Sequence, residues 1–358
     1  MIKKNKELKI KVIILIDESK NRERLKFTEI EKLSKDVEFK SKELWIGELQ
    51  FYRYRMDKIL KEYANFPFNN KIHALFEHGV LYTDLCYGVY RAHEYVPSIV
   101  ASKYRVSVLE KQKYYSGAYA IGPYIHYAKS LLSKETLKSE KERLGKTLLV
   151  FPSHSIEGLV TDFKLEPFLD EIDTISKDFD SVRICMYYKD VTLNRFKEYQ
   201  KRGYEVVTAG HYYDYNFLPR LRSIIETSDV TMSNDLGSHL GYCIYLNKPF
   251  YLYNPNEVKH IGEENGENVE AMIHNEKIFE KTKENNENII NMTKEFSHYT
   301  EKINKKQYQL ISYLWGFDEI KTPDELYNLF LEINDNFSYV KYYLAGLIRL
   351  KNLFKEKL

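Results

Sequence analysis

Between Lys146 and Tyr253 the chain alternates short apolar runs with amphipathic segments, and that alternation restricts the fold more than any other feature. "KTLLVFPSHS", "SVRICMYYKD", "YEVVTAG", "DVTMSN" and "KPFYLY" read as strands. "EPFLDEIDTISKDF", "TLNRFKEYQKRG", "NFLPRLRSIIETS" and "GSHLGYCIYLN" read as the helices between them. The connections are short and each apolar run is largely apolar on both faces. This predicts a parallel sheet covered by helices. Crossovers between parallel strands are right-handed, so this half is expected to be a doubly wound, Rossmann-like α/β domain.

The first half is less regular. "KIKVIILID" reads as a buried first strand, "GELQFYRYRMDKILKEYANF" as a helix, and "KIHALFEHGVLY" as an apolar run that stops at Glu77-His78-Gly79. "PSIVASKYRVSVLEKQ" predicts a further strand, and "GAYAIGPYIHYAKSLLSKE" places Gly117, Gly122 and Pro123 ahead of an amphipathic helix. The stretch Ser133 to Lys146 is charged and poor in apolar residues, and reads as a linker or an exposed helix. After Pro255 the composition turns polar and helix-prone. Thr322 then reads as an N-cap, with Pro323 at the first helical position of "TPDELYNLFLEI". The chain closes on "YVKYYLAGLIRLKNLFKEKL", a basic amphipathic helix. The expected organisation is a Rossmann-like domain over 1–140, a second over 141–300, and C-terminal helices over 301–358 packing back across both.

Composition excludes several classes. The 54 basic residues nearly cancel the 52 acidic ones, so no global field points to nucleic acid. Cys86, Cys185 and Cys243 lie far apart without CxxC spacing, which argues against a disulfide framework or a zinc site and suits a reducing compartment. The run "VIILI" is too short for a signal-peptide core or a membrane span, and the expected location is cytoplasmic. The 31 tyrosines admit two accounts: drift in a Lys-, Asn- and Ile-rich chain, or a tyrosine-lined sugar or nucleotide cleft.

In a doubly wound sheet ligands bind outside the carboxyl ends of the strands. Three loops of the second half qualify: Ser153, His154 and Ser155 after the first strand, with Glu157 and Gly158 following; Gly210 and His211 after the third, with Asp214 nearby; and Ser233, Asn234, Gly237, Ser238 and His239 after the fourth. The last would open a helix whose free N–H groups and positive dipole end attract an anion, and Ser238 and His239 can donate to phosphate oxygens. Taken singly, each residue is more readily a cap or a packed side chain; three such loops at one sheet edge favour an anion site. In the first half, Glu77 or His78 could serve as a general base, against the alternative of a turn with Gly79 at positive φ. His93, Glu94 and His126 are weaker candidates. GxGxxG, GxxxxGK[ST], HExxH and GxSxG are all absent, so neither a dinucleotide or P-loop site, a zincin, nor a nucleophile elbow is indicated, and no metal is expected.

At this point "TAGHYYDYNFLPRLRSIIETSDVTMSNDLGSHLGYCIYLNKPFYLY" and "YLWGFDEIKTPDELYNLF", with "FEHGV" and "AIGPYIHYAKSLL" in the first half, resemble the GT-B glycosyltransferases of bacterial capsule, O-antigen and related surface polysaccharide synthesis. The resemblance implies two Rossmann-like domains and transfer of a sugar from a CMP- or UDP-linked donor to a glycan or lipid-linked acceptor. It implies no cofactor and no metal, because helix dipoles and side-chain donors stabilise the departing phosphate. It places Ser153, His154, Ser155, Gly210, His211, Ser233, Asn234, Ser238 and His239 in the donor domain, and Glu77 and His78 at the acceptor-side acid/base position. The His-Pro motif of GT-B sialyl- and polysialyltransferases is missing, with "MYYKD" in a comparable place, which puts a CMP-linked donor in doubt. Other readings stay open: a CDP-polyol phosphotransferase, a nucleotide-sugar epimerase, or a non-catalytic nucleotide-binding module. For the basic C-terminal helix, peripheral contact with the inner membrane competes with packing against the protein.

Overall fold

The computed structural model describes residues 22–37, 53–77, 79–86, 96–112, 115–156, 158–262 and 286–338. The expected first strand at the N-terminus and the basic C-terminal helix lie outside the described residues. The chain forms two compact units, Met1–Phe39 with Ala128–Tyr308, and Lys40–Tyr127 with Gln309–Leu358.

This division corrects the expected boundaries at 140 and 300. The early residues join the later unit because their carbonyls cap its sheet edge: Thr208 N–H donates to the Phe27 carbonyl at 3.1 Å and His211 N–H to the Leu33 carbonyl at 3.0 Å. The late helix Pro323–Asp335 belongs with the other unit, where Phe330 packs edge-on against Phe66 at 5.3 Å between centroids.

In that smaller unit β1 (Leu75–Phe76), β2 (Ser98–Val100) and β3 (Ala118–Ala120) form a parallel sheet in the order β1-β2-β3. Leu75 lies opposite Ser98, and Ile99 opposite Tyr119. The predicted strand over "PSIVASKYRVSVLEKQ" is only half realised. It ends at Val100, and Lys103–Glu110 is a helix because Ser102 accepts the Arg105 N–H and caps it. The amphipathic helix expected after Pro123 is likewise a single 3-10 turn, Tyr124–His126. The predicted helix Pro323–Asp335 is present, with Thr322 and Glu325 forming a reciprocal capping box and Pro323 at its start. Such a cap contributes about 1 kcal/mol.

The larger unit carries the predicted alternation. β4 (Thr147–Phe151), β6 (Ser181–Cys185), β7 (Glu205–Val207), β8 (Val230–Ser233) and β9 (Phe250–Leu252) form one parallel sheet in the order β7-β6-β4-β8-β9. Leu148 of β4 sits between Val182 and Val230, and all five residues of β4 are buried, as a strand covered on both faces requires. Helix Leu165–Ile175 buries Phe168, Leu169, Ile172 and Ile175, one stripe at helical spacing, into the core of Leu148, Val150, Ile184 and Met232. A buried side chain of this size contributes about 1.5–3 kcal/mol.

Ser133 to Lys146 is a helix, Lys134–Leu144, whose cap Ser133 accepts the Thr136 N–H. An antiparallel ribbon of β5 (Leu159–Asp162) and β10 (Lys259–Gly262) was not expected; Val160 faces Ile261 in it. No helix among the described residues is long and apolar enough to cross a membrane. The fold class is α/β with a parallel sheet in each unit; the alternation predicted the one in the larger unit.

Candidate functional site

Numbered along the chain, the larger sheet has the order 3-2-1-4-5, so its winding reverses between β4 and β8. A crevice opens outside the carboxyl ends of the strands at such a reversal. The two loops that flank it are tied together. Ser153 N–H donates to Asn234 Oδ1 at 2.7 Å, and Ser153 Oγ donates to Asp235 Oδ2 at 2.9 Å. Ser233 Oγ donates to the Asp235 carbonyl and accepts the Asp235 N–H, while Asp235 Oδ1 accepts the Leu236 N–H at 2.8 Å. Ser153, Ser233 and Asn234 are buried, which makes the crevice floor rigid. Asp235 is the hinge of this network.

Helix Ser238–Tyr245 starts at this point, with Gly237 as its N-cap. Gly237 has φ −161°, an extended conformation open to any residue, so backbone strain does not explain it. A Cβ there would stand 2.8 Å from His239 Nδ1, so the glycine makes room for the imidazole. The His239 ring lies against Phe151 at 4.9 Å and Phe250 at 5.7 Å. Its Nε2 is buried without a hydrogen-bond partner. Burial, with a smaller push from His154, drives the imidazole pKa down to about 3. The depressed pKa favours the neutral imidazole, so His239 brings no positive charge to this end of the sheet. His154 is half-buried, its ring 4.5 Å from that of Tyr187.

The other predicted residues are placed differently. Ser155 is fully buried and donates from both N–H and Oγ to Asp190, at 2.9 and 2.8 Å, so it serves the interior rather than the crevice. The loop after β7 is closed by the chain itself. Gly210 N–H donates to Thr208 Oγ1 and His211 N–H to Leu33, so neither backbone donor is available to an anion. Gly210 has φ +92°, and a Cβ there would meet Arg220 Nη1 at 2.8 Å. Arg22 and Arg220 both approach the buried Asp214 carboxylate, at 3.7 and 3.4 Å. These contacts correct the expectation of a second anion loop. The first and third loops meet; the second does not join them.

In the smaller unit Glu77 continues β1, its N–H donating to Ile99, and Gly79 has φ +74°. Glu77 is 1% exposed, as is Arg105. Arg105 Nε donates to both Glu77 oxygens at 2.9 Å, and Nη2 stands 2.7 Å from Oε1. Arg105 Nη1 also donates to the Thr83 and Leu85 carbonyls, pinning the loop after Glu77. That geometry is a buried ion pair. His78, like Glu157, His93 and Glu94, lies outside the described residues.

Sequence reasoning missed Arg105, Asp190, Arg195 and Thr161. Asp190 is 2% exposed, and burial raises its pKa against the opposing pull of the Ser155 hydrogen bonds. Arg195 Nη1 donates to Thr161 Oγ1 at 3.0 Å and stands 3.5 Å from Asp190 Oδ1. Only an acidic residue closing "MYYKD" hinted at this cluster. Tyr187, Tyr188, Tyr212 and Tyr213, which follow β6 and β7, pack on one another, with centroids 4.7 Å (Tyr187–Tyr188), 5.3 Å (Tyr188–Tyr212) and 4.1 Å (Tyr212–Tyr213) apart. Cys86, Cys185 and Cys243 are unpaired. No group of three or more His, Cys, Asp or Glu side chains among the described residues could hold a metal ion.

No protein-family model matches the chain, and no curated protein matches it in sequence. Among solved structures it is similar to the wall teichoic acid polymerase TagF, at 15% identity over 80% of this chain and 69% of that one, with a TM-score of 0.38. It is also similar to S. aureus MnaA in complex with UDP, at 10% identity over 88% of this chain and 86% of that one, with a TM-score of 0.35. The fold is defined by the sheet order and strand pairing of this chain itself.

Proposed function

We propose that the chain is a glycosyltransferase that moves a sugar from a nucleotide-linked donor to a surface-polysaccharide glycan or lipid-linked acceptor. The observation that carries the reading is the joining of the β4 and β8 loops, through Ser153, Asn234 and Asp235, at the reversal of the sheet. A nucleoside diphosphate suits that place, since helix Ser238–Tyr245 starts just after β8 with its first N–H groups and the Ser238 hydroxyl as donors. Such dipoles offset charge on a leaving phosphate without a metal. In the transfer the acceptor oxygen bonds to the sugar's anomeric carbon, the bond from that carbon to the phosphate oxygen breaks, and the hydroxyl proton leaves to a base. For that base the sequence offers His78 beside Glu77, and the hold of Arg105 on both Glu77 oxygens favours His78 in this reading.

The test is thermal stabilisation by CMP, CDP, UDP and GDP, each with and without EDTA. A nucleotide at about 100 times its dissociation constant adds roughly 2.7 kcal/mol. A selective shift that survives EDTA supports the reading and names the base. No shift with any of the four sinks it.

A further inference from the structure

Beside the crevice lies a cleft of about 180 Å³. Pro152 and Ser153 after β4, Met186 and Asp190 after β6, and Thr161 to Phe163 of the β5 side line it, with Arg195, Glu198 and Tyr199 closing the remaining wall. None of the sequence motifs accounts for it.

Its construction is specific. Ser155, Thr161 and Asp190 are 0%, 1% and 2% exposed, and burying three polar side chains is costly unless each is bonded. They are: Ser155 donates to Asp190, Thr161 N–H donates to Ser155 Oγ, and both Thr161 and Asp190 receive Arg195 Nη1. The outcome is one guanidinium, its side chain 33% exposed, held at a fixed angle at the cleft wall. Nη1 is engaged inward, and Arg195 itself lines the cleft.

The charge balance selects among ligands. Asp162, Asp190 and Glu198 oppose the single Arg195, and Glu198 is shared with Lys201 on the outer face at 2.7 and 2.9 Å. A free anion meets more carboxylate than guanidinium here. A metal ion lacks a cluster of three ligating side chains among the described residues. A ring bearing adjacent hydroxyls answers both kinds of group: its oxygens accept from Arg195, and its hydroxyl hydrogens donate to the Asp162 and Glu198 carboxylates. Pro152, Leu165, Met186 and Tyr199 offer its carbon face an apolar wall. The volume equals roughly six waters of liquid, at about 30 Å³ each, which is the size of one monosaccharide.

We infer that this cleft is a subsite for a neutral polyhydroxylated ring, oriented by Arg195 and Glu198. The inference rests on the nucleotide reading above, because Ser153 belongs to both places, and it assigns the cleft either the sugar of a substrate or the ribose of the nucleotide. Saturation-transfer NMR on the full chain, with methyl hexosides and D-ribose as separate millimolar probes, and 31P line broadening of millimolar inorganic phosphate, test it. Saturable transfer from a hexoside supports a sugar subsite, and transfer from ribose alone supports a ribose subsite. In either case Arg195→Gln and Glu198→Gln should each weaken binding about ten-fold, the loss of one charged hydrogen bond. Glu198→Gln lies on the exposed side of a helix and should keep the wild-type melting temperature, so its effect is not one of folding. Binding of phosphate but neither ring, no binding of any probe, or binding unchanged in both variants overturns the inference. The nucleotide melting shift is read in parallel, so failure of the cleft and failure of the nucleotide reading are told apart.

Discussion

Glu77→Gln separates a structural carboxylate from a catalytic one. The substitution keeps shape and one carbonyl acceptor but removes the negative charge facing Arg105. Both side chains are 1% exposed, and three guanidinium contacts between 2.7 and 2.9 Å converge on the carboxylate. An arginine left charged and unpaired in such a site costs about 3–5 kcal/mol. That is a large share of the roughly 5–15 kcal/mol holding a typical protein together. At about 2–4 °C per kcal/mol for a domain of this order, the melting temperature should fall by roughly 6–20 °C. Urea unfolding followed by circular dichroism at pH 7 gives the free energy directly. The double replacement Glu77→Leu with Arg105→Met removes both charges and should recover much of the loss. A Glu77→Gln protein within about 0.5 kcal/mol of wild type, yet without transfer activity, refutes the ion-pair account and returns Glu77 to the role of base.

Three other outcomes follow from the same geometry. His78→Ala should abolish transfer while the nucleotide-induced melting shift persists; retained turnover removes His78 from the mechanism. His239 has a folded pKa of about 3 against an ordinary 6.5, so the stability it contributes is complete above about pH 6.5 and drains as pH falls through that value toward 3. Its imidazole signals in an NMR titration should therefore stay neutral between about pH 5 and 8, and titration near 6.5 contradicts the buried placement. Gly210→Ala combines a φ of +92° with a Cβ 2.8 Å from Arg220 Nη1 and should cost about 1–3 kcal/mol in urea unfolding; an unchanged midpoint means the loop is not held as described.

What could be read from the sequence and what could not divide along physical lines. The segment "GSHLGYCIYLN" declared its helix because its signals are local: a polar start, apolar spacing, and a stop before Lys248-Pro249. The capping box at Thr322 and Glu325 was local in the same sense. "YRVSVLEKQ" misled because its β-branched residues favour a strand, while Ser102 caps a helix and Arg105 fastens it to Glu77, 28 residues earlier. The β5–β10 ribbon was hidden because each strand's pairing partner lies far along the chain. At the site, small polar residues after β4 and β8 marked the crevice, but polarity alone did not say which way each one faces. Ser153 turns to Asp235 and Ser155 to Asp190, two residues apart and on opposite duties. Gly210 and His211 looked like an anion loop, and residues Phe27 to Leu33 already cover that edge.

The central claim is that a nucleotide sits where the β4 and β8 loops join. Hydrogen–deuterium exchange with and without the nucleotide that raises the melting temperature locates it most directly. The account predicts slowed exchange in peptides covering Pro152 to Ser155 and Asn234 to His239, around the Ser153–Asn234 bond. Protection confined to other segments, with these two unchanged, contradicts it.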